Sequence, residues 1–313
     1  MTTAFDVVTL GEVLIEVSTL EPFGHDVPAR LAVSGDALNV AAAAAAAGAH
    51  VGLVAVLPDD ELGQAIAARV SALHVATDLL LFRNGQQGVY LVHSDPHGER
   101  EFAYARAGSV GSTLGTEDLP ADVIAHAGAV VASGIACAIS PTTKDAVLAA
   151  ARLARRFVYD PNYRPRLTTA DAAARTLLDL APYGWLVTPS HPGETSALLG
   201  ADSALSAATR LRELGVQNVA VTCGAAGVQL RGPDVEAWIE AAPAPSVVDQ
   251  TGAGDAYVGT LTARLVHGDD LLWAARQAGA AASLMVGGRG GTGYVPTLEE
   301  VRTHLTTVEE VAR

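Results

Sequence analysis

VVDQTGAGDAYVG, residues Val247 to Gly259, runs an apolar stretch into a tight turn and the turn into a helix. Three small residues, Gly252, Ala253 and Gly254, precede Asp255, and apolar residues recur after it at Ala256, Val258, Leu261 and Leu265. That order marks a turn feeding a helix N-terminus. The unpaired N–H groups there, reinforced by the positive end of the helix dipole, favour an anion such as a phosphate group. Asp255 stands beside that spot, where a carboxylate can take a proton from an attacking hydroxyl. The plainer reading is an N-cap Asp on a Gly-rich turn. Asp249 and Thr251 just upstream make the string longer than that reading needs.

Outward from this point the chain alternates strands and helices. FDVVTLGEVLIEV reads as a strand, and VSGDALNVAAAAAAAGAH as a helix capped by Asp36 or Ser34. Seven consecutive alanines, Ala41 to Ala47, favour helix and give it a narrow, close-packing face. HVGLVAVLPDD follows as a buried strand and DELGQAIAARVSALH as a helix. The rhythm continues through GAVVASG, the helix of DAVLAAARLARR, FVYDPN, GWLVTPS and NVAVTCG. Such alternation predicts an α/β fold with a parallel sheet covered on both faces. Residues 86–107 break the pattern: QGVYLVHSDPHGEREFAYARAG alternates apolar and polar around a DPHGE turn, as a hairpin does. With HDVPARLAVSG it would build a small sheet standing off the main one. No internal repeat, charge block or long linker divides the chain. The expectation is one unit over 1–313, with the small sheet drawn from about 12–34 and 86–107.

Composition narrows the chemistry. Half of the 313 residues are hydrophobic, enough for a sizeable core, yet no apolar run has the length and purity of a membrane span. MTTAFDVV carries neither a basic region nor an apolar signal core, so a cytoplasmic location is expected. Cys137 and Cys223 form no disulfide framework and no metal spacing, which suits buried free thiols. The net charge of −14, from 20 basic and 34 acidic residues, argues against nucleic acid as a partner. Lys144 is the only lysine, and it lies in SPTTKDAV. Neither the lysine of a P-loop nor the strand lysine of protein kinases is therefore present. Schiff-base chemistry is left with that one poor candidate. Phosphoryl transfer by this chain must rest on backbone amides, arginine and a metal. The nine histidines make no zinc-type cluster.

DQTGAGDAYVGT resembles the C-terminal DTTGAGDAF motif of the ribokinase-like sugar kinases, the phosphofructokinase-B family. Gln250 departs from the usual Thr and Tyr257 from the usual Phe. The resemblance implies that Gly252, Ala253 and Gly254 form an anion hole and that Asp255 is the catalytic base. It also implies a ribokinase-like, Rossmann-type core with a mostly parallel sheet between helices, plus a small β-sheet lid. SGDALNVA, Ser34 to Ala41, resembles the family's GGxxxN motif, in which Asp36 and Asn39 would hold sugar hydroxyls. GEVLIEVS, YARAGSVGSTL, ASGIACAIS and DPNYRPRL are similar to segments of those members that act on 2-keto-3-deoxygluconate. By that likeness Gly35, Tyr90, Tyr104, Arg106, Ile135 and Arg164 would line an acid-sugar site, and Asn162 would lie near the nucleotide. An Arg pairs a carboxylate through two parallel bonds, and the Tyr of Tyr–x–Arg adds a hydroxyl.

The nucleotide side resembles the family's TxGxxG string at Thr222, Gly224 and Gly227, with Gly254 facing the phosphates. HPGE matches the family's NxxE at Glu194, a residue tied to magnesium through water, whereas His191 replaces the Asn. GGRGGTG, Gly287 to Gly293, either borders the adenine pocket or is a flexible turn. The implied cofactors are ATP and Mg2+, with a monovalent cation as a further candidate; the implied partners are an acid sugar and ATP. A homo-oligomer, dimer or higher, is expected, with no membrane contact. The reading is an ATP-dependent kinase for a primary hydroxyl of an acid sugar. A fructokinase, ribokinase or nucleoside kinase would share Asp255 without needing the arginines. A non-catalytic sensor on the same fold is a further alternative. A dinucleotide-binding dehydrogenase is disfavoured, because GAGDAYVG is not GxGxxG and lies far from the first strand.

Overall fold

The computed structural model describes residues 4–94 and 100–311. The first strands are β1 (Val7–Leu10), β2 (Leu14–Thr19), β3 (Arg30–Ser34), β4 (Val51–Pro58), β5 (Val75–Ala76), β6 (Leu80–Arg83), β7 (Val89–Ser94) and β8 (Arg100–Ala105). They are followed by β9 (Ala129–Ser133), β10 (Phe157–Asp160), β11 (Gly184–Val187), β12 (Asn218–Thr222), β13 (Gly227–Arg231) and β14 (Glu236–Glu240). The helices are α1 (Asp36–Ala46), α2 (Glu61–Ala72), α3 (Ala121–His126), α4 (Gly134–Ile139), α5 (Pro141–Leu153) and α6 (Ala170–Leu180). The remainder are α7 (Gly193–Leu199), α8 (Ala204–Glu213), α9 (Ala253–Val266), α10 (Leu271–Met285) and α11 (Leu298–Val311).

Ten strands make the main sheet, in the order β14-β13-β12-β11-β10-β9-β1-β4-β5, with β6 also beside β4. From β12 to β5 the pairs are parallel; β13 and β14 are antiparallel additions at one edge. Side chains alternate across the sheet as the pleat requires. Val7, Val51, Leu53 and Val131 point to a core shared with α1, α2, α9 and α10. Val8, Val54, Val130 and Phe157 point the other way, to a core shared with α5, α6 and α8. This double coverage explains why the parallel strands read as nearly unbroken apolar runs.

The stretch FDVVTLGEVLIEV is two strands, not one. Gly11 to Val13 carry the chain out of the main sheet, where β1 lies, and into a second sheet that contains β2. The second sheet has the order β3-β2-β7-β8, with β2 and β7 parallel and both outer pairs antiparallel. The β7–β8 pair is the anticipated hairpin, with Tyr90 opposite Tyr104; its DPHGE turn lies outside the described residues. The cap assigned to the alanine-rich helix is also different. Gly35 is the N-cap of α1, and neither Ser34 nor Asp36 caps it. Ser34 instead donates to Asn39 Oδ1 at 3.4 Å, and Asp36 accepts from the Ser133 hydroxyl.

The alanines of α1 have a packing role that bears directly on the site. A Cβ at Gly259 of α9 would lie 2.3 Å from the Val40 carbonyl oxygen and 2.8 Å from Ala43 Cβ, so the two helices touch almost backbone to backbone. One turn toward their N-termini the same ridges carry Asn39 and Asp255, which meet through a hydrogen bond. Small residues along α1 thus set the distance between two polar groups far apart in sequence.

Candidate active site

The C-terminal ends of the parallel strands and the second sheet enclose a cleft of about 710 Å³. Open α/β sheets present their ligand-binding loops at this edge. β9 leads to Ile135, β10 delivers Asp160, Asn162 and Arg164, β11 leads to Ser190 and Glu194, and β12 ends at Thr222. The second sheet supplies Tyr90, Phe102 and Tyr104. Phe102 and Tyr104 stack with ring centroids 6.2 Å apart, forming an aromatic wall. Arg166 bonds the Phe102 carbonyl oxygen and ties the loop after β10 to that wall.

The GAGD segment is the start of α9. Gly252 is its N-cap at φ +83°, a left-handed conformation that glycine adopts without penalty. A Cβ there would also press on Gly291, 3.1 Å from its Cα. Asp255 is the third residue of the helix and not its cap, so the plainer reading of the motif fails on geometry. Gly252 and Gly254 face the cleft. A Cβ at Gly254 would meet nothing within 4 Å, so packing leaves that space free. The Ala253 N–H differs, for it already donates to the Gln250 carbonyl at 3.3 Å.

Asp255 projects into the cleft and accepts from Asn39 Nδ2 at 2.8 Å. Burial, followed by the charge of Asp36, pushes its carboxyl up to about 6; Asn39 and Arg164 oppose the shift. Asp160 and Glu194 are likewise held above the usual carboxylate range by burial, and Asp160 further by Glu194 and Asp255. Glu194 accepts from the amides of Tyr163 (2.6 Å) and Ser190 (2.8 Å), clamping two strand-end loops together. His191, next to it, meets Thr195 Oγ1 through Nδ1 at 2.6 Å.

Of the residues singled out from sequence, Gly35, Asp36, Asn39, Tyr90, Tyr104, Arg106, Ile135, Asn162, Arg164, Glu194, Thr222, Gly252, Gly254 and Asp255 line this one cleft. Ala253, Gly224 and Gly227 do not. Gly227 has a separate reason to be glycine: at φ +131°, its Cβ would fall 2.1 Å from the Ile239 carbonyl of the neighbouring strand. The glycine run after α10 is a packed turn and not a loose one. Gly291 lies against Asn39 and Ser34, Gly290 against Glu16, and Thr292 donates to the Val33 carbonyl at 2.6 Å. Asp249 fastens this turn to the helix start, accepting from the Thr251 amide and the Gly290 amide.

Asp160, which lines the cleft, and Glu12, which pairs with a residue that does, are among the residues not singled out. Asp160 was visible as the acid ending the apolar run FVYD, the position that buried strands offer to ligands. Glu12 had no signal beyond an acid inside an apolar run, yet it is 1% exposed and pairs with Arg106.

The donor chemistry suits a magnesium nucleotide. The carboxylates on the cleft are hard oxygen donors, and the charges of Glu194 and Asp255 push the buried Asp160 up, a situation a divalent cation relieves. Glu194 has each oxygen on one backbone amide, which leaves each a further lone pair. Among the described residues no three His, Cys, Asp or Glu side chains could hold a metal by themselves. Gly252 and Gly254 stand at the head of α9, and a helix N-terminus is electropositive.

Comparison with known proteins assigns the chain. The pfkB family carbohydrate kinase profile matches residues 4–298. The 2-dehydro-3-deoxygluconokinase of Thermoproteus tenax is 35% identical over 94% of this chain and 92% of its own. Fructokinase-1 of Zea mays is 32% identical over 83% of each chain. An E. coli protein solved in complex with ATP and Mg2+ superposes with a TM-score of 0.87 at 22% identity, covering 96% of this chain and 99% of that one. A mostly parallel sheet between helices, a second small sheet, and a profile spanning nearly the whole chain lead to one conclusion: the protein belongs to the pfkB family of carbohydrate kinases.

Proposed function

We propose that this carbohydrate kinase transfers the γ-phosphoryl group of ATP to a primary hydroxyl of an acid sugar, with 2-keto-3-deoxy-D-gluconate as the favoured substrate. The observation that carries the acid-sugar assignment is the guanidinium of Arg106. It lies on the cleft wall beside Tyr90 and Tyr104. A guanidinium placed there can meet a carboxylate in a charge-assisted hydrogen bond. The Thermoproteus relative supports the same assignment.

In this mechanism the sugar lies between the aromatic wall and α9. Its primary hydroxyl approaches Asp255, which accepts the proton as the oxygen attacks phosphorus in line. Asn39 holds Oδ2 and so orients the free oxygen. Backbone N–H groups at Gly252 and Gly254 stabilise charge developing on the transferring group. Mg2+, when bound with ATP, supplies counter-charge to the phosphate oxygens. The second sheet excludes water from the reacting atoms.

A fructokinase is the second reading, favoured by Glu12, which neutralises Arg106 and lessens the cleft's pull on anions. ADP release across 2-keto-3-deoxygluconate, gluconate, fructose, ribose and adenosine separates the two. Selective turnover of the keto-deoxy acid is expected; selective turnover of fructose would reverse the assignment.

The raised Asp255 carboxyl gives a pH signature. The base works only when ionised, so kcat/KM is expected to fall about tenfold per pH unit below about pH 6. A profile flat down to about pH 4.5 would contradict a base of that strength. The linkage to stability has the opposite sense. A carboxyl raised by folding favours the native state while protonated, and that contribution is lost as pH rises through about 6.

A further inference from the structure

Arg106 already has a carboxylate. Its Nη2 pairs with Glu12 Oε2, and the two side chains are 8% and 1% exposed. Glu12 lies just past β1, where the chain crosses from the main sheet to the second sheet. Its other oxygen, Oε1, accepts from the Ser109 hydroxyl. The space it occupies is kept by glycines. A Cβ at Gly111 would lie 2.6 Å from Glu12 Cγ, and one at Gly88 would lie 2.7 Å from Oε1. The carboxylate is therefore held at both oxygens in a tailored slot. Arg106 itself lines the cleft.

One guanidinium thus pairs with a carboxylate of the protein and also lines the cleft. We propose that Glu12 is a resident counter-ion that determines substrate specificity: it fixes Arg106 through Nη2 and leaves the part of the guanidinium that lines the cleft for the carboxylate of the substrate. The substrate then shares one cation with a carboxylate that cannot leave. This deepens the acid-sugar reading and rests on it. Two consequences follow from elementary electrostatics. Glu12 orients the guanidinium, and it also repels the second carboxylate, so affinity for an acid sugar is held below what Arg106 alone would give. Burial already pushes the Glu12 carboxyl up while Arg106 and Ser109 pull it down; Asp36 is the other charge acting on it.

Glu12→Gln separates charge from shape. The amide oxygen can accept from Arg106 Nη2 and the amide nitrogen can donate to Ser109 Oγ, so the slot stays filled. KM for 2-keto-3-deoxygluconate is expected to fall about tenfold, and KM for fructose to move far less. A purely structural role would alter both sugars alike and lower Tm. If wild type turns over the acid sugar and its KM in E12Q is unchanged or higher, the counter-ion role is overturned and the acid-sugar reading stands. If wild type does not use the acid sugar at all, both fall. Calorimetry on wild type gives a reading that needs no variant. In buffers of different ionisation heat, binding of the acid sugar is expected to take up more protons than binding of fructose, because a second carboxylate at Arg106 raises Glu12 further. Equal uptake for the two sugars would count against the proposal.

Discussion

Asp255→Asn is expected to lower kcat by a factor of about 10²–10⁴, the usual worth of a positioned general base. The substitution keeps the volume of the side chain and its place in the first turn of α9. Its amide oxygen can still accept from Asn39 Nδ2, which now meets Oδ2 at 2.8 Å. What it cannot do is take a proton from a sugar hydroxyl. Binding of the sugar should change little, so the loss belongs in kcat and not in KM. ADP release with saturating sugar and ATP measures it. Turnover within a few-fold of wild type would remove Asp255 from proton transfer.

Arg106→Ala carries the second large effect, and it has two parts. In the cleft it removes the donor assigned to the substrate carboxylate, so KM for the acid sugar is expected to rise roughly 30-fold or more, the equivalent of about 2 kcal/mol. In the core it leaves Glu12 buried without its cation. Breaking a buried pair from one side typically costs about 3–5 kcal/mol of stability, so Tm should fall as well. Steady-state kinetics on the folded fraction, read beside thermal unfolding, separates the two. A lower Tm with an unchanged acid-sugar KM would leave Arg106 as a structural partner of Glu12 and nothing more.

Much of this architecture was legible because its determinants are local. The apolar runs of β4, β9 and β10 read as buried strands since both faces of the parallel sheet are covered. The turn before α9 was legible because a left-handed residue at position 252 calls for glycine. Where the reading of the chain erred, the deciding forces were long-range. VVTLGEVLIEV has uniform strand chemistry, and nothing within it says that the chain changes sheets at Gly11, where a Cβ would lie 2.9 Å from that of Ala37. The glycines at 290 and 291 read equally as a border of the adenine pocket or as a flexible turn. They are small because Glu16, Asn39 and Ser34, all from the first forty residues, press against them. Glu12 escaped notice for the same reason: its partner Arg106 lies 94 positions away.

The acid-sugar assignment meets its most direct test in a competition. Wild-type protein, ATP and Mg2+ are mixed with equal concentrations of 2-keto-3-deoxygluconate and fructose, and the phosphorylated products are quantified by mass. Their ratio is the ratio of the two kcat/KM values, which is what specificity means for an enzyme. The account predicts that the phosphorylated keto-deoxy acid dominates by about tenfold or more. A product pool dominated by fructose phosphate would contradict it, leaving a kinase of this family whose Arg106 serves Glu12 and not the substrate.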